Sequence, residues 1–257
     1  MLRKQDSGLT MVEIIIVVAI LAVLGAILVP NLLAAKVASN ETAAIATLRS
    51  LVTAEAQMLG SAKIDADKDS IGEYGTFVEL IGHSGVRTRV ATLDASDFTN
   101  RGSAADPPAL SETMVEYMQK TGYLTKTGYA FMIFLPDTND PARFTHENLT
   151  LVTTGKGKKK TTVENVVLVG GTARVGINIS ESAWCAYAQP LSYSRSGRRA
   201  FFTNQQGDIL QSQNDVAKHQ DDATAIAGRS AFTGTGITSD PAVGTRGRDG
   251  DVWKVTN

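Results

Sequence analysis

The sequence contains little of what covalent cross-links and common catalytic sites require. Its 257 residues include one cysteine, Cys185, so an intrachain disulfide is excluded. The three histidines, His83, His146 and His219, are far apart, and no H-E-x-x-H, C-x-x-C or dinucleotide-binding glycine motif occurs. A net charge of -1 gives no general reason to bind nucleic acid. We therefore predict a protein that is not an enzyme.

Charge is also missing from one long segment near the N-terminus. From Ile14 to Ala35 the chain carries no charged residue. A helix over this range is roughly 33 Å long, which is close to the hydrocarbon thickness of a bilayer. The run is too long for a cleaved secretory signal, and Arg3 and Lys4 before it favour a cytoplasmic N-terminus. The pattern predicts a retained, single-pass membrane helix.

Glu13 stands near the start of this apolar helix. An ionised side chain in apolar surroundings costs at least about 2.5–3.5 kcal/mol on insertion scales. One interpretation places Glu13 at the headgroups of the bilayer. The other pairs it with a cation from another copy of the chain, and a free amino terminus created at Leu9 would be such a cation, since an α-amine is largely protonated near neutral pH.

The stretch after Gly8, "LTMVEIIIVVAILAVLGAILVPNLLAA", resembles the N-terminal signal of type IV pilins and type II secretion pseudopilins. This resemblance implies that a prepilin peptidase cuts after Gly8 and N-methylates Leu9. It further implies that Glu13, in the Thr-x-x-Glu motif with Thr10, meets the amine of a neighbouring subunit, and that Pro30 kinks the helix. Such a pairing mainly fixes the register between helices, because an unpaired buried charge is strongly penalised.

The resemblance also implies a function, a location and partners. The chain is expected to be a structural subunit of a type IV pilus or a type II secretion pseudopilus, with its head in the periplasm and its helix in the inner membrane. Its partners would be other pilin-like subunits, the prepilin peptidase and an inner-membrane assembly platform. Leucine at the first mature position, where phenylalanine is commoner, and Asp6 in the leader are departures. The alternative is a membrane-anchored periplasmic binding or enzymatic domain that does not polymerise.

The fold class predicted for the whole chain is α+β, with a long N-terminal helix packed against an antiparallel β-meander. Residues 1–8 are the leader, 9–60 the helix with 9–35 as its membrane-spanning part, 61–212 the head and 213–257 a polar surface extension. Strand-like runs are "YAFMIFLP", "SAWCAYAQP" and the hairpin "RRAFFTNQQGDILQS". Residues 83–110 are predicted to be a surface loop, followed by a short helix that Ser111 caps and that ends at Gly122.

An acidic stretch follows the helix, with Asp65, Asp67 and Asp69 at alternating positions and Glu73 after them. Hard cations such as calcium prefer several carboxylate oxygens that converge from one tight turn. The EF-hand pattern is incomplete, because Ser70 stands where the glycine is required and Thr76 where the bidentate glutamate is required. A solvated acidic turn is therefore the favoured interpretation, and calcium is the cofactor that the alternative implies.

Residues 145–170 read as an inserted hairpin with a strongly basic tip, formed by Lys156, Lys158, Lys159 and Lys160. Clustered lysines contact phosphates without sequence preference, so a polyanion is one candidate ligand. No aromatic residues interleave with the lysines, as a single-strand stacking surface requires. A solvated tip is therefore the favoured interpretation, and nucleic acid is a disfavoured partner.

Overall fold

The computed structural model describes residues 10–83, 85–111, 123–138, 143–154, 161–169, 172–220 and 224–256, with the backbone alone for 147–154, 161–167 and 169. Four predictions lie outside these residues. They concern the leader, the processing site at Gly8 and Leu9, the helix after Ser111, and the lysine tip at 155–160.

One helix dominates the N-terminal part of the chain. Helix α1 runs from Met11 to Gly60, is 50 residues long and continues without interruption through Pro30. Its second half is rich in alanine, which has the highest helix propensity. Gly60 is its last residue, as the sequence predicts.

The second half of α1 supplies one wall of the head. Leu48 and Met58 are buried, while Ile45 and Val52 are partly buried beside them. Leu33, earlier in α1, is 46% exposed and lines a cavity instead of packing in the core. The buried stripe of α1 therefore lies in its second half.

The head is built on an antiparallel sheet of eight strands. Its strands are β3 (Leu124–Lys126), β4 (Tyr129–Pro136), β5 (Phe144–Thr154), β6 (Thr161–Val169), β8 (Cys185–Pro190), β9 (Ala200–Asn204), β10 (Ile209–Ser212) and β11 (Trp253–Val255). The order across the sheet is β11-β10-β9-β8-β4-β5-β6, with β3 paired to β4. The predicted strands and the β9–β10 hairpin are confirmed, and Gly207 has the positive φ (81°) that its tight turn requires. The α+β architecture, a long helix packed on antiparallel strands, is thus the one predicted.

The inserted hairpin is also present. Strands β5 and β6 pair along their length, from His146 opposite Val169 to Thr154 opposite Thr161. Of the hairpin's two ends, the one next to the sheet is tied to β4 through the pairs Leu135–Thr145 and Pro136–Phe144.

Residues 83–110 are not the surface loop that the sequence predicts. They contain strands β1 (Thr88–Arg89) and β2 (Ala95–Asp97), which form a small sheet with β7 (Val175–Gly176). Arg87 is 1% exposed, and Val86 and Phe98 are also buried. Of two short helices, α2 (Phe77–Leu80) precedes β1 in the chain and α3 (Ile177–Ser180) follows β7. The prediction was wrong because the few apolar residues of segment 83–110 are scattered and do not recur at a regular spacing.

The C-terminal segment 213–257 is not a polar surface extension either. Strand β11 pairs with β10, and Trp253 is fully buried. The segment covers the face of the sheet opposite α1, where its buried apolar residues form a second core with side chains of the sheet such as Tyr187 and Phe202. Those buried residues are Ile226, Ala231, Phe232, Ile237, Ala242 and Trp253. Large side chains such as Phe232 and Trp253 supply much of this second core, and many of the polar residues between the buried ones lie in turns.

Candidate assembly segment and acidic loop

Thr10 and Glu13 close the N-terminal end of α1 as a reciprocal cap. The Glu13 backbone N–H donates to Thr10 Oγ1 (3.3 Å), and Glu13 Oε2 accepts from Thr10 N (2.7 Å) and Thr10 Oγ1 (2.8 Å). This capping box satisfies backbone donors that have no partner within the helix. Glu13 therefore has partners within its own chain. The Thr-x-x-Glu spacing is itself the sequence signal for such a box.

The first half of α1 makes almost no contact with the head. An 18-residue window of α1 is apolar enough to cross a membrane, and none of that window is buried. Leu24 is 48% exposed and Val29 is 66% exposed. Exposed apolar surface of this extent marks a membrane or protein interaction site.

Glu41 marks the point where α1 enters the head. Its Oε1 accepts the backbone N–H groups of Arg198 (3.0 Å) and Arg199 (3.2 Å), and its Oε2 pairs with the Arg199 guanidinium at 2.7 and 2.8 Å. One residue earlier, Asn40 Nδ2 donates to the Ser196 carbonyl (2.8 Å). These contacts tie the helix to the β8–β9 loop.

Three of the four predicted metal ligands lie together. Carboxylate oxygens of Asp65, Asp67 and Asp69 lie within 4.8 Å of one another in the turn after α1. The Asp65 carboxylate accepts the N–H groups of Asp69 and Ser70, both at 3.1 Å. Such oxygens fit a hard cation by their chemistry. Calcium binding by this turn stays a prediction.

Glu73, the fourth predicted ligand, is directed into the protein and is 1% exposed. Its Oε1 accepts the Ala66 N–H (2.8 Å), which fixes the start of the acidic turn. Its Oε2 lies 3.2 Å from Arg87 Nη2 and 3.1 Å from Ser180 Oγ. Glu73 thus hydrogen-bonds to the backbone of the acidic turn through one carboxylate oxygen and pairs with Arg87 through the other.

Arg87 is the centre of a buried ionic cluster that the sequence analysis did not identify. Its Nη1 lies 2.5 Å from Glu79 Oε2, and its Nη2 contacts Glu73 and the Tyr74 carbonyl. Burial alone lowers the pKa of Arg87, but the charges of Glu79 and Glu73 outweigh it and raise the pKa. No sequence pattern reveals this cluster, because the three residues belong to separate turns and one short helix.

Glu181 adds a further carboxylate next to the acidic turn. Burial, followed by the charges of Asp69 and Asp67, raises the pKa of Glu181. Its Oε1 is buried without a hydrogen-bond partner among the residues that the structure describes. A cation at the turn would offset the repulsion that Asp67 and Asp69 exert on this carboxylate.

His219, Asp249 and Asp251 form a second cluster of metal-ligating types. Asp251 accepts three backbone N–H groups from residues 215–217, and Asp249 accepts from Trp253 Nε1 (3.3 Å). His219 contacts Asp249 Oδ2 through one ring nitrogen and the Thr224 carbonyl through the other, each at 3.2 Å. Burial raises the pKa of Asp251 above 3.8. The side chains of this cluster accept hydrogen bonds from nearby backbone and indole N–H groups, so the cluster stabilises the fold of the C-terminal segment.

Comparison with known proteins finds a family match in the N-terminal segment. A family described as "Prokaryotic N-terminal methylation motif" matches residues 3–29. The "Type IV wide pilus major component PilA4" of Thermus thermophilus is 49% identical over 49 residues, which are 19% of this chain and 37% of that protein. The aligned part is thus little more than a third of the relative's length. No solved structure is significantly similar to the chain.

The family match covers Thr10, Glu13 and the apolar run as far as Val29, and Pro30 lies one residue beyond it. Most of the residues that implied a pilin-like signal therefore lie within a known family motif. The protein is type IV pilin-like in its N-terminal segment.

Proposed function

We propose that the protein is a structural subunit of a pilus or pseudopilus filament. The observation that carries this proposal is the division of α1, whose second half packs into the head while its first half stays bare. Burial of that apolar surface supplies association energy when the first halves of many copies pack together. Before assembly, the same surface holds the chain in the inner membrane with its head in the periplasm.

In the proposed pathway, prepilin peptidase cleaves after Gly8 and N-methylates Leu9, and an inner-membrane assembly platform adds the subunit to the filament. The reciprocal cap with Thr10 supports a specific role for Glu13. Thr10 supplies hydrogen-bond donors to the Glu13 carboxylate while the subunit is still in the membrane and not yet assembled. On assembly, the new amine at Leu9 of a neighbouring copy replaces part of this cap, and helices that are out of step lose the contact.

The proposed subunit belongs either to a surface type IV pilus or to a short pseudopilus in type II secretion. The similarity to the pilus component of Thermus thermophilus favours the pilus. The different-class alternative is a membrane-anchored periplasmic domain that never polymerises. In that case Glu13 would have no role beyond capping α1.

Replacing Glu13 tests the proposal against this alternative. We expect Glu13→Ala to abolish or strongly reduce the filament yield in a sheared-filament assay, with an unchanged melting temperature of the head. Asp208→Ala, which removes an exposed carboxylate at the far turn of β9–β10, is the matched control and should assemble normally. Normal filament yield from Glu13→Ala would contradict the role proposed for Glu13.

The N-terminus of the wild-type chain gives an independent test. Intact mass and N-terminal sequencing of protein from the native membrane or filament fraction should give a chain that begins at N-methylated Leu9. A chain that still begins at Met1 would contradict prepilin processing and favour the non-polymerising alternative.

A further inference from the structure

A cavity of about 480 Å³ lies where α1 leaves the head. One side is the helix itself, from Pro30 to Glu41, and it is apolar except for Glu41, whose carboxylate is paired with Arg199. The other side is the β8–β9 loop, which contributes Arg198 and Arg199. The cavity is therefore apolar along the helix and cationic along the loop, and its apolar side is continuous with the bare first half of α1.

The β8–β9 loop is held firmly in place beside the helix. Gly197 packs on the ring of Tyr129 so closely that a Cβ there would lie 2.1 Å from the hydroxyl oxygen. The Tyr129 hydroxyl donates to the Arg199 carbonyl (2.9 Å), and Glu41 fixes the Arg199 guanidinium. The loop therefore presents its remaining arginines from a defined position.

Three cations around this junction have no carboxylate partner in the part of the chain that the structure describes. Arg198 lines the apolar cavity, while Lys36 and Arg195 together line a neighbouring cavity of about 330 Å³. All three side chains are exposed. Their charges therefore remain available to an anion at the point where the helix emerges.

The position of these cations matches the surface of a membrane. Lys36 is the first charge after the uncharged run, and Pro30 precedes it by about 9 Å along the helix axis. Because Pro30 and Arg198 line the same cavity, the basic loop lies at the depth of the lipid headgroups when α1 spans the bilayer. An arginine at this depth contacts phosphate and keeps its charge near water.

We propose that this junction binds an anionic phospholipid of the membrane's outer leaflet. The phosphate contacts Arg198. Lys36 and Arg195 in the neighbouring cavity add to the positive charge around it, and the first part of one acyl chain lies along Leu33 and Val37. The proposal rests on the membrane-anchored state of the proposed function but does not require a filament. An acidic surface of a neighbouring subunit would satisfy the cations but leave the apolar wall uncovered, so the lipid matches more of the cavity.

The test uses the full-length chain in a zwitterionic detergent, titrated with phosphatidylglycerol and followed by native mass spectrometry. We expect one tightly bound phosphatidylglycerol per chain and no comparable binding of phosphatidylcholine. Arg195→Gln/Arg198→Gln should weaken the binding roughly 30-fold, since each cation near an anionic surface contributes about a factor of five. Arg89→Gln/Arg229→Gln removes two exposed arginines elsewhere on the head and should leave the binding unchanged.

A second variant separates a seated lipid from general charge attraction. Ala38 lines the cavity and is exposed, so Ala38→Phe fills it without any change of charge. We expect this variant to weaken phosphatidylglycerol binding as well, whereas millimolar inorganic phosphate should not compete.

Three results would overturn the proposal. They are unchanged lipid binding by the double arginine variant, an equal loss in the control pair, and unchanged binding by Ala38→Phe. If the double variant binds lipid normally but forms few filaments, the junction is a contact between subunits. Lipid binding and filament yield are recorded separately, so failure of assembly by the wild-type chain leaves this test intact.

Discussion

In the first half of α1, Leu24 is 48% exposed, whereas in the second half Leu48 is fully buried and Met58 is 1% exposed. The backbone is the same continuous helix in both halves. The first half consists largely of isoleucine, leucine and valine, while alanine and polar residues share the second half with its few large apolar side chains. An apolar surface on every side requires an apolar medium or other helices, whereas one apolar stripe requires a single head.

This difference assigns separate tasks to the two halves. Contacts of the second half stabilise the fold of each chain, and the first half contributes to association and membrane insertion under the proposed function. The boundary lies near Glu41, where the helix is tied to the β8–β9 loop. Substitutions on either side of it should therefore affect different measurements.

The largest effect on folding is expected from a core substitution in the second half. Leu48→Ala should lower the free energy of unfolding of the head by about 2–5 kcal/mol, because it leaves a cavity between α1 and the sheet. Leu24→Ala is the matched change in the first half and should alter it by less than about 0.5 kcal/mol. Denaturant unfolding in detergent, followed by the fluorescence of buried Trp184 and Trp253, measures both. Similar losses in the two variants would contradict the division of α1.

Glu41 tests where the boundary lies. Glu41→Ala leaves the N–H groups of Arg198 and Arg199 without their acceptor and removes the partner of the Arg199 guanidinium. Loss of these partly buried hydrogen bonds should cost about 1–3 kcal/mol of unfolding free energy. The same unfolding assay measures this cost, and exposed Glu13→Ala is the control on the other side of the boundary. An unchanged stability of Glu41→Ala would place the boundary further along the helix.

Calcium should stabilise the end of α1 that lies furthest from the membrane-spanning half. If Asp65, Asp67 and Asp69 bind it with the weak affinity of extracellular sites, millimolar calcium adds about 1 kcal/mol. We expect a calcium-dependent rise in the melting temperature that Asp67→Ala removes. Asp208→Ala, in an exposed turn elsewhere, should retain it. A melting temperature independent of calcium would leave only the solvated acidic turn.

The sequence predicted those parts of the molecule that repeat a local pattern. The apolar run, the stop at Gly60 and the strands around Phe131, Tyr187 and Phe201 each follow from residues close together in the chain. Thr10 and Glu13 were identified from one short motif. These features need no knowledge of what packs against them.

The sequence did not predict contacts between distant segments that lack a period. Arg87 lies in a stretch with few apolar residues, and its burial depends on Glu73 and Glu79, which no spacing connects to it. Trp253 lies in a short run within a polar, glycine-rich segment, yet it completes the second core because β11 pairs with β10. Composition made both segments resemble a surface loop. A few large apolar side chains and the ion pairs of Arg87 stabilise the burial of these two segments.

The smallest effect concerns the response of the head to pH through His146. This residue lies on β5 against Phe134, with ring centroids 5.4 Å apart, and burial lowers the pKa of His146 below 6.5. The unfolded chain therefore binds the proton more readily than the folded chain does. The contribution to stability is fully present above pH 6.5 and is lost as the pH falls through that value towards the folded-state pKa, by at most about 1.4 kcal/mol per pH unit.

Unfolding measured between pH 7.5 and 5 should show this loss of stability. His146→Gln should reduce the loss, while exposed His83→Gln should not. Because no histidine lies in α1, the far-UV circular dichroism that its bare half contributes should stay constant over the same pH range. A parallel change in this contribution would mean that the two halves of α1 do not respond independently.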